Sequence, residues 1–205
     1  MTQNSIQQFW QWFLAKSSEI EACLQAGDAD KASWQMSDRI GVFFPELGWE
    51  IGPGTDKQLF LAFTLNGDPE NIAKAEEIIA AAPGIENWEF RVGRPRREFD
   101  GQLRFVHEHG QQIEIDLDRW RYTLTAFDGG RFFDIEIAKP EMREADSRVK
   151  QQIAYTAIQA VLGEFDTITY IDRISFEEHP DTDWDERSTP FLHLAEHLDS
   201  IKIGQ

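Results

Sequence analysis

A chain of 205 residues with 41% apolar and 12% aromatic side chains can bury a core, and this excludes a disordered or low-complexity chain. Against 20 basic side chains stand 37 acidic ones, giving a formal charge of −17 and a pI near 4.6. Such a field repels nucleic-acid phosphates and anionic lipid, so neither is an expected partner, and it draws basic proteins inward.

The opening stretch, MTQNSIQQFWQWFLAKSS, has neither the basic start nor the small-residue cleavage pattern of an export signal, and no apolar run approaches the roughly 20 residues of a membrane span. A soluble, cytoplasmic protein is the expectation. Ile6, Phe9, Trp10, Phe13, Leu14, Ile20 and Leu24 recur at helical spacing over residues 5–25, with Ser5 as cap and Gly27 as stop. Cys23 is the only cysteine, which leaves no partner for an intrachain disulfide and no thiolate zinc site, and it reads as a small core residue. A second helix is expected from about Asp30 to Phe44, turning Trp34, Ile40 and Phe43 inward and ending at Pro45.

Trp49 and Ile51 begin a strand that turns at Gly52-Pro53-Gly54. The GPGTDK stretch that begins at Gly52 lacks the glycine spacing and the helix of a phosphate loop. No cofactor motif is found, and no cofactor is expected. Residues 59–95 form the clearest unit in the chain. Leu59 to Leu65 is apolar on both faces, Asn66-Gly67 is a turn tolerant of positive φ, and Asp68 caps a helix whose first residue is Pro69. Ile72, Ala75, Ile78, Ile79 and Ala82 face inward, Pro83-Gly84 stops the helix, and Trp88, Phe90 and Val92 alternate with Glu89 and Arg91 as a half-buried strand.

After Pro95 a polar connection is expected, carrying His107, Glu108, His109 and Gly110. Ile113, Ile115 and Leu117 then alternate with acids as a strand on which Asp116 and Asp118 share the solvent face. Tyr122, Leu124 and Ala126 form another, and Asp128-Gly129-Gly130 is a hairpin signal returning through Phe133, Ile135 and Ile137. A helix over about residues 144–162 buries Val149, Ile153, Ala157 and Val161, Gly163 closes it, and Ile168, Tyr170, Ile174 and Phe176 are assigned to a last strand. The order strand, strand, helix, strand therefore occurs twice. The expected fold is α+β: two β-β-α-β units, ferredoxin-like in order and consistent with duplication, preceded by two N-terminal helices. The corresponding segments are 1–45, 46–97, 98–176 and 177–205, the last an acidic loop with a short helix.

Asn66-Gly67-Asp68, Ala81-Ala82-Pro83, Ile85, Trp88, Phe90 and Arg94-Pro95-Arg96 resemble a segment of uncharacterised bacterial proteins, strand-NGD-helix-AP-x-I-x-x-W-x-F ending in Arg-Pro-Arg. The resemblance covers about a quarter of the chain. It implies a bacterial cytoplasmic protein; the family has no assigned reaction, so no residue role is carried over. Charge and strand order alone also resemble acidic ferredoxin-like inhibitors of nucleases.

Four candidate sites follow from residue chemistry. Asp181, Asp183 and Asp185 have calcium-loop spacing around Trp184, but Glu186 stands where the turn needs glycine and Leu192 where a bidentate Glu is needed. What remains is an acidic loop with an aromatic, the composition of an interface anchor and its charged rim. His193 and His197 with Glu196 match the H-x-x-E-H of inverted zinc peptidases, though downstream only Asp199 is acidic. They are weak metal candidates. Arg91, Arg94, Arg96 and Arg97 offer guanidinium forks for a phosphate or carboxylate, with pairing to the chain's own acids the favoured reading. Asp116 and Asp118 read as an exposed acidic face. The sequence thus points to a non-enzymatic module, immunity-like, that binds a basic protein. The alternative is a metal-dependent or small-molecule enzyme using a cleft between the two β-β-α-β units.

Overall fold

The computed structural model describes residues 2–98, 101–106, 112–138, 146–177 and 183–202. The fold is α+β. Two compact units divide the chain, Met1–Pro95 and Arg96–Gln205. The N-terminal helices thus belong with the first β-β-α-β segment and the C-terminal segment with the second.

In the first unit α1 (Gln3–Gln25) starts two residues before the expected cap. Thr2, not Ser5, caps it, accepting the Ser5 N–H at 3.3 Å, and Gly27 leaves it with φ +76°. Asp28 caps α2 (Ala29–Phe43) by accepting the Lys31 N–H at 3.3 Å. β1 (Gly48–Pro53) runs antiparallel to β2 (Leu59–Thr64), with Ile51 opposite Leu61. Asn66 and Gly67 take the positive φ that the turn requires, and the Asp68 carboxylate accepts the Glu70 N–H at 2.9 Å ahead of α3 (Glu70–Ala80). β3 (Trp88–Val92) returns parallel to β2, with Leu61 opposite Phe90. The expected strand-helix-strand unit is thus present, β2 central in the order β1-β2-β3.

Aromatic rings fill this unit. Phe9, Phe13, Phe63 and Trp88 are fully buried, and Trp10 nearly so. Trp10 meets Phe90 edge-on at 4.6 Å, and Phe13 meets Trp88 at 5.0 Å. Both buried indoles find acceptors: Trp10 donates to the Ile78 carbonyl of α3 at 2.8 Å, and Trp88 to the Glu21 carboxylate of α1 at 2.5 Å. The loop after β1 is held by a carboxylate. Glu89 accepts the N–H groups of Thr55 (2.9 Å) and Asp56 (3.0 Å) and pairs with Arg91, which also donates to the Thr55 hydroxyl at 2.8 Å.

The second unit opens with a hairpin: β5 (Gln112–Asp116) is the strand expected there, ending one residue before Leu117, and it runs antiparallel to β4 (Gln102–Val106), a strand the sequence did not announce. His107, Glu108, His109 and Gly110 lie outside the described residues. A 3-10 turn (Leu117–Arg119) leads into β6 (Arg121–Phe127), and the Asp128-Gly129-Gly130 turn joins it to β7 (Phe132–Ala138). α4 (Ser147–Leu162) begins at Asp146, whose carboxylate accepts the Arg148 N–H at 2.8 Å.

The next segment corrects the sequence reading. Glu164–Tyr170 is a helix, α5, and only Ile171–Phe176 form a strand, β8. Gly163, at φ +80°, breaks the chain's direction between the helices. Glu164, Thr167 and Tyr170 are buried at three-residue spacing, a helical period, and the Thr167 hydroxyl donates to the Gly163 carbonyl at 2.7 Å. β8 pairs parallel to β7, so β6-β7-α4-β8 repeats the pairing of β1-β2-α3-β3. A short β9 (Thr189–Pro190) adds to the far edge in the order β8-β7-β6-β9. One face of this sheet, with Tyr122, Phe133, Ile135 and Ile137, packs into a core completed by Ile153, Ala157 and Ile158 of α4. One turn of helix, α6 (Trp184–Arg187), precedes β9; α7 (Leu194–Ile201) follows a 3-10 turn at Phe191–His193 and buries Leu194 and Leu198. No helix among the described residues is long and apolar enough to cross a membrane.

Candidate functional site

Trp184, expected as the exposed anchor of the acidic loop, is 3% exposed and belongs to the interior of the second unit. Arg121 accounts for this. Its guanidinium donates to the Ser188 hydroxyl (2.8 Å), the Ser188 carbonyl (2.6 Å) and the Asp185 carbonyl (2.8 Å), drawing the chain down beside β6 where Thr189 pairs with Tyr122. The ring is thereby covered, and Arg187 lies 5.8 Å above its centroid. Asp183 stands at the N-terminus of α6, and Asp185 is exposed with an Oδ1 atom 3.4 Å from Arg121 Nε. Asp181 lies outside the described residues. The loop therefore presents carboxylates without its aromatic.

His193 and His197 stand one helical turn apart, as their spacing requires, but each ring has another neighbour. His197 Nδ1 is 2.9 Å from the Tyr122 hydroxyl, and His193 Nδ1 is 3.5 Å from Glu196 Oε2. Burial pushes the Tyr122 phenol well above its ordinary value, against a smaller opposing effect of its hydrogen bond with Thr189. Among the described residues no three His, Cys, Asp or Glu side chains converge as a metal ion would need.

The arginine cluster resolves into separate roles. Arg91 pairs with Glu89, and Arg94 Nε is 3.4 Å from Glu50. Arg96 is the most committed. It forks onto Asp199 at 2.5 and 2.7 Å, donates to Asp166 at 2.6 Å, and gives its Nε–H to the Leu162 carbonyl at the end of α4 at 3.1 Å. Lys202 joins the same acids at 2.8 and 3.0 Å. Arg96, above all, holds the Asp199 carboxyl far below the usual carboxylate range, with Lys202 assisting against a smaller effect of burial. The result is a neutral four-charge network binding α5 and α7 to the end of α4. Arg97 donates its backbone N–H to the Ala160 carbonyl at 2.8 Å, and its exposed side chain stands with Glu98 at the rim of a shallow cleft floored by Val161, Leu192 and Ala195.

The most exposed aromatic among the described residues is one that the sequence reading turned inward. Trp34 on α2 is 71% exposed, and Val42, two turns on, is 66% exposed. Ala32, Met36 and Ile40 form the buried stripe of α2, and Trp34 points away from it. Ser33, Ser37 and Gly41 run beside Trp34, Asp38 and Val42 on the exposed face, and a Cβ at Gly41 would meet nothing within 4 Å. Asp30 continues the line one turn before Trp34. The face is therefore a low ridge of small residues with two apolar side chains, the Asp30 carboxylate and Asp38, which lies 3.6 Å from Arg39 Nε, and it can accept a flat partner element. A helical wheel carries the signal: at 3.6 residues per turn Trp34 lies about 120° from Ile40 and about 180° from Phe43.

No protein-family model matches the chain, and neither a curated protein nor a solved structure is found to match it.

Proposed function

We propose that this chain is a cytoplasmic bacterial protein that binds, and so neutralises or regulates, a basic protein partner, and that it does so through the exposed face of α2. The observation that carries the reading is Trp34, a large aromatic left in solvent between Asp30 and Asp38 on a molecule of charge −17. Exposed tryptophan is costly in water and is the residue type most often found to dominate binding energy at interfaces. The charge supplies long-range attraction, and the small residues beside Trp34 let a partner approach the helix closely. A lone, buried cysteine is compatible with a reducing compartment.

The test is affinity capture from the protein's own cells, with the wild type and Trp34→Ala immobilised in parallel. The expected result is a protein of basic pI retained by the wild type, weakened as salt is raised across the range where the Debye length falls below about 10 Å, and reduced at least roughly tenfold by Trp34→Ala. Retention of neutral or acidic proteins only, or retention indifferent to both salt and Trp34, refutes it. Circular dichroism of Trp34→Ala checks that the fold is kept.

A further inference from the structure

The sheet of the second unit has a second face. Opposite the buried Tyr122, Phe133, Ile135 and Ile137, the alternating positions carry Thr123 and Thr125 on β6, Asp134 and Glu136 on β7, and Arg173 and Ser175 on β8. The register sets Asp134 between Thr125 and Arg173, and Glu136 between Thr123 and Ser175. These six side chains line a cavity of about 210 Å³. A lining without one apolar side chain is unusual, because ligand pockets are mostly apolar with a few polar groups.

Acceptors outnumber donors in this cavity. Arg173 spends its Nε–H (3.0 Å) and an Nη2–H on a single oxygen, Asp134 Oδ2. The other, Asp134 Oδ1, is buried and accepts no hydrogen bond. Glu136 forms no ion pair among the described residues, and Ser175 turns its hydroxyl proton toward the Ile135 carbonyl at 3.4 Å. Two carboxylates against one guanidinium leave the lining with a net negative charge.

We propose that this cavity binds a primary ammonium group, seated on the Glu136 carboxylate beside the Asp134–Arg173 pair, with the threonine hydroxyls as further acceptors. An ammonium brings three N–H donors and one positive charge, which supplies what the lining lacks. The volume admits a short aliphatic amine or the end of a lysine side chain. A divalent metal is the poorer match: two carboxylates are short of a ligand set, and Arg173 stands among them. The site lies in the second unit and is independent of the α2 face.

The experiment is a ¹⁵N-¹H NMR titration of the full chain with n-butylammonium and, separately, with N-acetyl-lysine amide. Tetramethylammonium, a cation without N–H donors, is the control, and Glu136→Gln is the variant. The expected result is saturable shifts confined to the amides of residues 123–125, 134–136 and 173–175, with affinity lost about tenfold in Glu136→Gln, the worth of one charge-assisted hydrogen bond. Tighter binding of the lysine derivative assigns the ammonium to a peptide side chain; tighter binding of butylammonium assigns it to a free amine. Absence of saturable shifts at tens of millimolar, equal shifts with tetramethylammonium, or unchanged affinity in a folded Glu136→Gln overturns the proposal.

Discussion

Replacing Arg96 with methionine keeps the apolar stem and removes the fork, so it isolates the charge network. Four hydrogen bonds are lost: two to Asp199, one to Asp166 and one to the Leu162 carbonyl. The Arg96 side chain is 37% exposed, so its ion pairs are screened and contribute about 0.5 kcal/mol each, and loss of the donor to Leu162 adds about 1 kcal/mol. Asp199 and Asp166 are not stranded, because Lys202 remains at 2.8 and 3.0 Å, so the 3–5 kcal/mol cost typical of an orphaned buried charge does not apply. The expected destabilisation is about 2 kcal/mol, with roughly half recovered by Arg96→Lys, which restores charge without the fork. Urea unfolding gives the total, and native-state hydrogen exchange localises it: amides of α5 and α7 lose protection while those of α3 do not. A cycle with Asp199→Asn should return a coupling of about 0.5 kcal/mol. If the two substitutions add within about 0.3 kcal/mol, the network is not a unit and the reasoning fails.

Four further outcomes follow from the same geometry. Gly41→Ala places a methyl in open space on α2 and should stabilise the first unit by roughly 0.5–1 kcal/mol, read as a higher urea midpoint; a lower midpoint contradicts the exposed placement of that face. Gly54→Ala drives a Cβ to 2.5 Å from the Lys57 carbonyl, and a loss of about 2 kcal/mol with weaker amide protection at Thr55 and Asp56 is expected. Trp184→Ala should cost about 3–5 kcal/mol, whereas Trp184→Phe, which also removes an indole N–H that is buried without an acceptor, should stay within about 1 kcal/mol of the wild type by urea unfolding. Acid destabilises by a defined route: Glu19 is lowered from 4.5 to about 2, first by its hydrogen bond with Lys16 and then by Gln35, and Asp199 is lowered by Arg96. Both contributions are complete above the ordinary carboxylate values and disappear as pH falls through the folded ones, so stability should drop between about pH 4 and 2, and Glu19→Gln should flatten that limb in a pH series of thermal melts.

Local punctuation made much of the fold legible. Asn66-Gly67-Asp68 and Pro83-Gly84 bracket α3 because positive φ, capping and the missing proline N–H act within a few residues, and those signals can be read without knowing what packs on them. Asp128-Gly129-Gly130 worked in the same way. The strand assigned at Ile168 and Tyr170 failed because alternation of two apolar residues is weaker than the three-residue spacing of Glu164, Thr167 and Tyr170, one of which is a buried acid. β4 was missed although Leu103 and Phe105 alternate with Gln102 and Arg104, since its pairing with β5 depends on a partner and not on its own composition. The two tryptophans exchanged places for different reasons. Trp34 was on the wrong side of a wheel that the sequence contains, whereas Trp184 is covered through Arg121, which stands 67 positions before Ser188, an agreement between distant residues that no local pattern encodes. The arginine cluster shows the same limit: its chemistry was visible, but the partners of Arg96 at Asp166 and Asp199 were not.

The carboxylate of Glu89 occupies a small anion seat made of the Thr55 and Asp56 amides and the Arg91 guanidinium. Truncation to Glu89→Ala would empty that seat and leave its three donors converging on nothing. Formate or acetate added from outside is the natural replacement, and the 54–58 loop would then regain its order in proportion to the anion supplied. A tether covalently built into the chain would have become a dose-dependent one, with loop rigidity set by the solution and not by the sequence.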